Sequence, residues 1–144
     1  MDLATLLRHT EHNGIYHLPP GEQGALTAAT ESAELPYYRC DLAENPALDA
    51  ALEALGAALA LPAWYGANLD ALHDCLTDFS WRDDAGGVLL LAGCDALHAM
   101  DSEGFDTLMS VFAAAAEFWQ AQEVPFWVFV DMRADGLAYL PTIG

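Results

Sequence analysis

No lysine occurs among the 144 residues, and the only basic side chains of fixed charge are four arginines, set against 22 carboxylates for a formal net charge of −18. The isoelectric point is near 4.1. Binding to a phosphate backbone is driven by lysine and arginine displacing counterions, so direct contact with nucleic acid is excluded as a role for this surface. A basic partner is the natural counterpart of such a field. Cysteine is scarce as well: Cys40, Cys75 and Cys94 are odd in number and have no CxxC spacing, so the sequence predicts neither a disulfide framework nor a zinc site, only reduced and mostly buried thiols. No run approaches the roughly 18–20 apolar residues of a membrane span, and MDLATLLRHTEHN lacks the basic start and apolar core of a secretion signal. A cytoplasmic protein without a membrane partner is expected. Repeats and low-complexity tracts are missing too, apart from the four alanines 113–116.

What is present is apolar residues, 54% of the chain, enough for one compact domain that buries most of its hydrophobic surface. The acid is not gathered in a tail, since residues 1–36 carry five carboxylates and residues 85–144 carry eight. That spread, with so much apolar residue between, predicts a folded acidic protein rather than a disordered one.

Four short apolar runs read as strands: Ile15–Leu18, Tyr37–Leu42, Val88–Ala92 and Phe126–Val130. Their hydrophobicity is nearly unbroken, which predicts a parallel sheet covered by helices rather than an alternating antiparallel one. Between the second and third runs, ENPALDAALEALGAALALP offers Asn45 as a helix cap, Pro46 at the first helical position, an apolar face of Leu48, Leu52, Leu55 and Leu59, and Pro62 as the stop. Before the last run, SEGFDTLMSVFAAAAEFWQA repeats the pattern, with Ser102 as cap and Phe105, Leu108, Phe112 and Trp119 on one face. An α/β layout with right-handed crossovers follows. Residues 1–36 hold the weak strand Ile15–Leu18, the turn PPGEQG and a helix around Ala25–Ala33, an extra βα unit expected on the edge of the sheet. The tail from Arg133 is uninformative.

One stretch does not explain itself: LPAWYGANLDALHDCLTDF, residues 61–79. A helix over Asn68–Asp78 would put Leu69, Leu72, Leu76 and Phe79 within about 80° of one another, facing the core. Opposite them lie Asp70, Asp74, Thr77 and Asp78, with His73 on the flank. Asn68 can cap this helix, and Asp70 in its first turn is favoured by the helix dipole. Asp74 and Asp78 have no such reason, and each like-charged i,i+4 pair costs about 0.2–0.5 kcal/mol. Gly66 sits in a turn with Trp64 and Tyr65, large aromatics beside carboxylates, as on a binding surface. A plainer reading stands beside this one. Aspartate on a solvated face is ordinary in so acidic a chain, Trp64 and Tyr65 can equally pack under the loop, His73 can be a plain surface histidine, and Cys75 a small buried hydrophobe. The pair His9 and His12 is too sparse for a metal site without a third ligand.

The string LPAWYGANLDALHDCLTD resembles the signature segment of the barstar family, intracellular inhibitors of secreted ribonucleases, in which LP, an aromatic, YG, NLDAL and DCLT follow in the same order. The match runs nearly position by position over Leu61–Asp78, and the order of elements fits residues 37–131. The resemblance implies a barstar-like α/β fold, a parallel β-sheet packed with helices, over 37–131, flanked by extensions at 1–36 and 132–144. It implies an inhibitor and not an enzyme: a monomer when free, without cofactor or metal, that occludes the active site of a basic extracellular-type ribonuclease or ribonuclease toxin and confers immunity to it. By this resemblance Asp74 takes the place of a substrate phosphate, Asp70 accepts from neighbouring basic groups, Trp64 stacks near the catalytic histidine and Thr77 lies at the rim. Tyr65, Gly66, Asn68, His73 and Asp78 complete the expected partner-binding set. The sequence departs from the family, which has Tyr at the position of Trp64, Trp at His73, Gly at Asp78, Trp at Phe79 and Glu at Ala114, so a partner shaped differently from the usual one is implied.

Two other readings compete. A metal-dependent hydrolase could gather Asp70, His73 and Asp74 around a cation, but one helix supplies few convergent ligands, and no nucleophile or phosphate loop accompanies them. An acidic nucleic-acid mimic, or a general interaction module, would use the charge as a diffuse field rather than through one or two carboxylates.

Overall fold

Apolar runs decide the layers. The computed structural model describes residues 3–19, 21–44, 46–78 and 86–132. Among these, helix α1 (Leu3–Leu6) and a 3-10 turn (Thr10–His12) lead into strand β1 (Gly14–Leu18). Then come α2 (Gln23–Ser32), β2 (Tyr37–Asp41), α3 (Leu48–Ala58), α4 (Leu69–Leu76), β3 (Gly87–Ala92), α5 (Asp95–Met100), α6 (Ser102–Ala121) and β4 (Phe126–Asp131). The strands form one sheet in the order β1-β4-β3-β2, and every neighbouring pair is parallel. The fold is therefore α/β, with the four expected strands in place to within a residue at each end.

Unbroken apolarity is needed because both faces of the sheet are covered. Cys40, Leu89, Leu91, Val128 and Val130 point to the larger core, with Leu52 and Leu55 of α3, Leu72 and Leu76 of α4, and Phe105, Leu108, Phe112 and Trp119 of α6. Alternate residues Val88, Leu90, Trp127 and Phe129 point the other way, against Leu6, Leu7, Leu18 and Leu26. Period-two alternation thus divides the large apolar residues of the strands between one core and the other. The N-terminal unit was expected on the edge, and only its strand lies there, paired to β4. Helix α2 lies over a face, where its Leu26 joins residues of β3 and β4.

The N-terminal segment is tied to β4 by polar contacts. The Asn13 side chain donates to the Val124 carbonyl at 2.7 Å and accepts from the Phe126 amide at 3.1 Å. The His12 carbonyl accepts from the Tyr16 hydroxyl at 2.6 Å and from the Trp127 indole at 2.8 Å. Two glycines admit β3 between its neighbours: Gly86 and Gly87 have φ of +83° and +124°, and a side chain on either would collide with the carbonyl of Pro125 or Pro36.

Several helix ends differ from the sequence reading. Helix α3 starts at Leu48, after an extended Ala47, so Pro46 precedes the helix, and Asn45 lies outside the described residues. It stops at Ala58, short of Pro62. Ala60 turns left-handed at φ +51°, and the Leu61 amide donates back to the Gly56 carbonyl at 2.9 Å. This six-to-one closure satisfies the helix end without help from proline. The cap of α6 is Asp101, whose carboxylate accepts from the Gly104 amide at 2.9 Å, and Ser102 is the first helical residue. Helices α1 and α5 are additions to the elements anticipated, and the tail from Arg133 lies outside the described residues.

Candidate functional site

The loop Leu61–Asn68 and helix α4 form one surface. Asn68 has extended backbone, and its side-chain oxygen accepts from the Ala71 amide at 2.8 Å, the anticipated cap, which contributes about 1 kcal/mol to such a helix. Leu72, Cys75 and Leu76 are buried, and Leu69 is half-buried against the same core. Phe79, expected on that face, lies outside the described residues. The end of α4 is held by α6: the indole N–H of the buried Trp119 donates to the Leu76 carbonyl at 2.6 Å. Thr77 closes the helix, its amide and its hydroxyl both donating to the His73 carbonyl, at 3.0 and 2.8 Å. The predicted helix to Asp78 is therefore too long. The stripe keeps two carboxylates on α4, Asp70 and Asp74, while Asp78 is exposed two residues beyond its last turn.

On the outer side, Asp70 is exposed and the Asp74 side chain is 72% exposed. His73 stands between them in sequence, its side chain 47% exposed and its Nδ1 4.0 Å from Asp74 Oδ1. Among the described residues no arginine reaches either aspartate. The carboxylates thus face solvent in unrelieved repulsion, worth a few tenths of a kcal/mol for the i,i+4 pair. Their charge is felt inward as well. Burial pushes the Cys75 thiol up, and Asp74 and Asp78 add to the shift. Cys75 is the small buried hydrophobe of the plainer reading.

The two loop aromatics part company. Trp64 is 55% exposed, while Tyr65 turns inward, packs against the core and donates its hydroxyl to the Leu52 carbonyl of α3 at 2.8 Å. Burial pushes the Tyr65 phenol up to about 12, with Cys75 and Cys40 contributing. Of the pair expected to stand out on the surface, only Trp64 does so, and Tyr65 stabilises the loop. Gly66 and Asn68 are exposed beside them, and Ala67 between them is left-handed at φ +52°. That strained alanine gave no signal in the sequence. Gly56 did: a glycine inside an apolar helix costs about 1 kcal/mol relative to alanine and wants a reason. A side chain there would come within 2.9 Å of the Tyr65 ring.

Elsewhere, Ala114 is exposed on α6 and Phe118, one turn on, is 41% exposed. The rings of His9 and His12 meet edge-on at 6.1 Å, and among the described residues no group of three or more His, Cys, Asp or Glu is placed to hold a metal ion. An open polar depression of about 340 Å³, lined by Arg8, His9, Thr10, Glu11 and Glu123, includes none of the motif residues. No helix among the described residues is long and apolar enough to cross a membrane.

Chemically, this surface offers acceptors and one aromatic face: two carboxylates that no arginine among the described residues reaches, on a helix pinned at both ends. Compared with known protein families, the chain matches the one described as Barstar (barnase inhibitor) over residues 35–131, more than half its length. A search of curated proteins finds no match.

Proposed function

The chain belongs to the barstar family, and on that premise we propose that it is a cytoplasmic inhibitor that binds a basic ribonuclease or ribonuclease toxin and occludes its active site. The observation that carries this reading is the state of Asp70 and Asp74, exposed side by side on a helix whose opposite face is buried, with no arginine among the described residues paired to either. Repulsion within the free protein is relieved when the basic side chains of a nuclease close over it, so the arrangement favours the complex over the free state. In this reading Asp74 stands where a substrate phosphate would lie. Asp70 accepts from flanking basic groups, Trp64 covers the catalytic histidine region, and His73, Gly66, Asn68, Thr77 and Asp78 shape the contact. Tyr65 serves from behind by holding the loop.

The protein performs no hydrolysis in this role and needs no metal. The test is inhibition of a basic microbial ribonuclease such as barnase, or of a basic ribonuclease recovered from host lysate on the immobilised chain, with and without a chelator. Stoichiometric inhibition that survives the chelator is expected. Turnover of RNA by the chain itself, or inhibition lost on chelation, would favour the hydrolase instead.

A further inference from the structure

Gly56 belongs to α3, and nothing in helix formation asks for it there. Its environment does. The Tyr65 ring lies on it so closely that a Cβ would meet Cε2 at 2.9 Å and Cδ2 at 3.1 Å. The ring cannot easily slide away, because its hydroxyl is bonded to the Leu52 carbonyl, one turn earlier on the same helix. The Gly56 carbonyl also accepts the Leu61 amide that starts the loop, and the Tyr65 amide donates to the Pro62 carbonyl at 2.9 Å. The loop is therefore fastened to one helical turn at its first residue and at its middle. Trp64 precedes the fastened tyrosine directly, and left-handed Ala67 and the Asn68 cap follow it. The backbone that carries the exposed indole is thus restrained on both sides before any partner arrives, and pre-ordering of this kind raises affinity by lowering the entropy lost on binding.

We propose that Gly56 and Tyr65 are positioning residues that hold Trp64 in its partner-ready place without touching the partner themselves. This rests on the inhibitor reading for the identity of the partner, and on the geometry alone for the fastening.

The experiment compares wild type, Gly56→Ala, Tyr65→Phe, Trp64→Ala and the double variant Gly56→Ala/Trp64→Ala. Amide hydrogen exchange over residues 62–68 is read in the free proteins, and dissociation from barnase in the complexes. Alanine is the better helix former, so Gly56→Ala should hold its unfolding midpoint within about 4 °C of wild type. Its loop should nevertheless exchange at least about 5-fold faster, through a lower local opening energy. Dissociation should quicken about 10-fold in Gly56→Ala and less in Tyr65→Phe, and the double variant should be no worse than Trp64→Ala alone, the signature of two residues acting through one contact. Unchanged loop exchange in Gly56→Ala, or fully additive effects in the double variant, would overturn the proposal. A wild-type chain that binds no ribonuclease would count against the inhibitor reading, and loop exchange would still decide the fastening.

Discussion

In β3 all six residues from Gly87 to Ala92 are buried, in register with β2 on one side and β4 on the other. In α4, the next element back along the chain, only Leu72, Cys75 and Leu76 are buried, while Asp70, His73 and Asp74 face solvent. Every side chain of β3 is accounted for by what it touches inside this molecule. The outer side of α4 and the exposed Trp64 are not: two like charges and a large aromatic raise the free energy of the isolated protein or do nothing for it. Residues whose own chain gives them no reason are the ones to assign to a partner. The same contrast recurs within the loop, where Tyr65 has an internal partner in Leu52 while Trp64 beside it is 55% exposed.

The comparison can be broken at its buried side first. Trp127 is fully buried on β4 and its indole N–H is bonded to the His12 carbonyl, so Trp127→Ala should lower unfolding free energy by about 3–5 kcal/mol in denaturant titration. Whatever fraction remains folded should bind its partner as wild type does. A smaller and more local effect is expected at the start of α4. Asn68→Ala removes the cap and should cost about 0.5–2 kcal/mol, seen as faster amide exchange in residues 69–76 with the strands unaffected.

A pH dependence separates the two loop aromatics. Burial pushes Tyr65 from an ordinary 10.0 up to about 12 and Cys40 from 9.0 up to about 11, and raises Cys94 as well. In each case folding favours the neutral form, so the contribution is complete below the unfolded-state value and is lost as pH rises through the folded one. Stability should hold to about pH 9 and fall between about 9 and 12. Tyr65→Phe should lessen the fall above pH 10, and Trp64→Phe should leave it unchanged, in thermal unfolding followed across that range.

Much of this architecture is written in local pattern. Strands β3 and β4 were legible because burial on both faces leaves almost no polar positions, and a run such as Gly87–Ala92 then stands out from its surroundings, while β1 and β2 kept enough apolar residues to show despite His17, Arg39 and Asp41. The two faces of α4 were legible because Leu72 and Leu76 recur at helical spacing. Helix ends were not, since Asn45, Pro46, Pro62 and Ser102 are plausible boundary residues overruled by contacts of their neighbours, among them the Asp101 cap and the closure from Leu61 to Gly56. Helices α1 and α5 span four and six residues, too short for periodicity to show. The inward turn of Tyr65 depends on a space left by a glycine nine residues away on another element, and no local pattern reports that.

The claim that this acidic surface acts through one place is tested most directly by stopped-flow binding of wild type, Asp74→Ala and Glu31→Ala to one inhibited ribonuclease, with denaturant unfolding of each free protein alongside. Removing a carboxylate desolvated against a partner's cations costs about 2–5 kcal/mol or more, an expectation taken from known interfacial charge pairs, of which this family supplies an extreme example. Asp74→Ala should therefore dissociate at least about 30-fold faster, the equivalent of about 2 kcal/mol. Its stability should be unchanged or slightly raised, since one i,i+4 repulsion is gone. Glu31, exposed on α2, contributes only to the overall field, and Glu31→Ala should slow association slightly in a way that salt screens. Equal behaviour of Asp74→Ala and Glu31→Ala would contradict the account, because the charge would then be acting as a diffuse field and α4 would hold no special place in it.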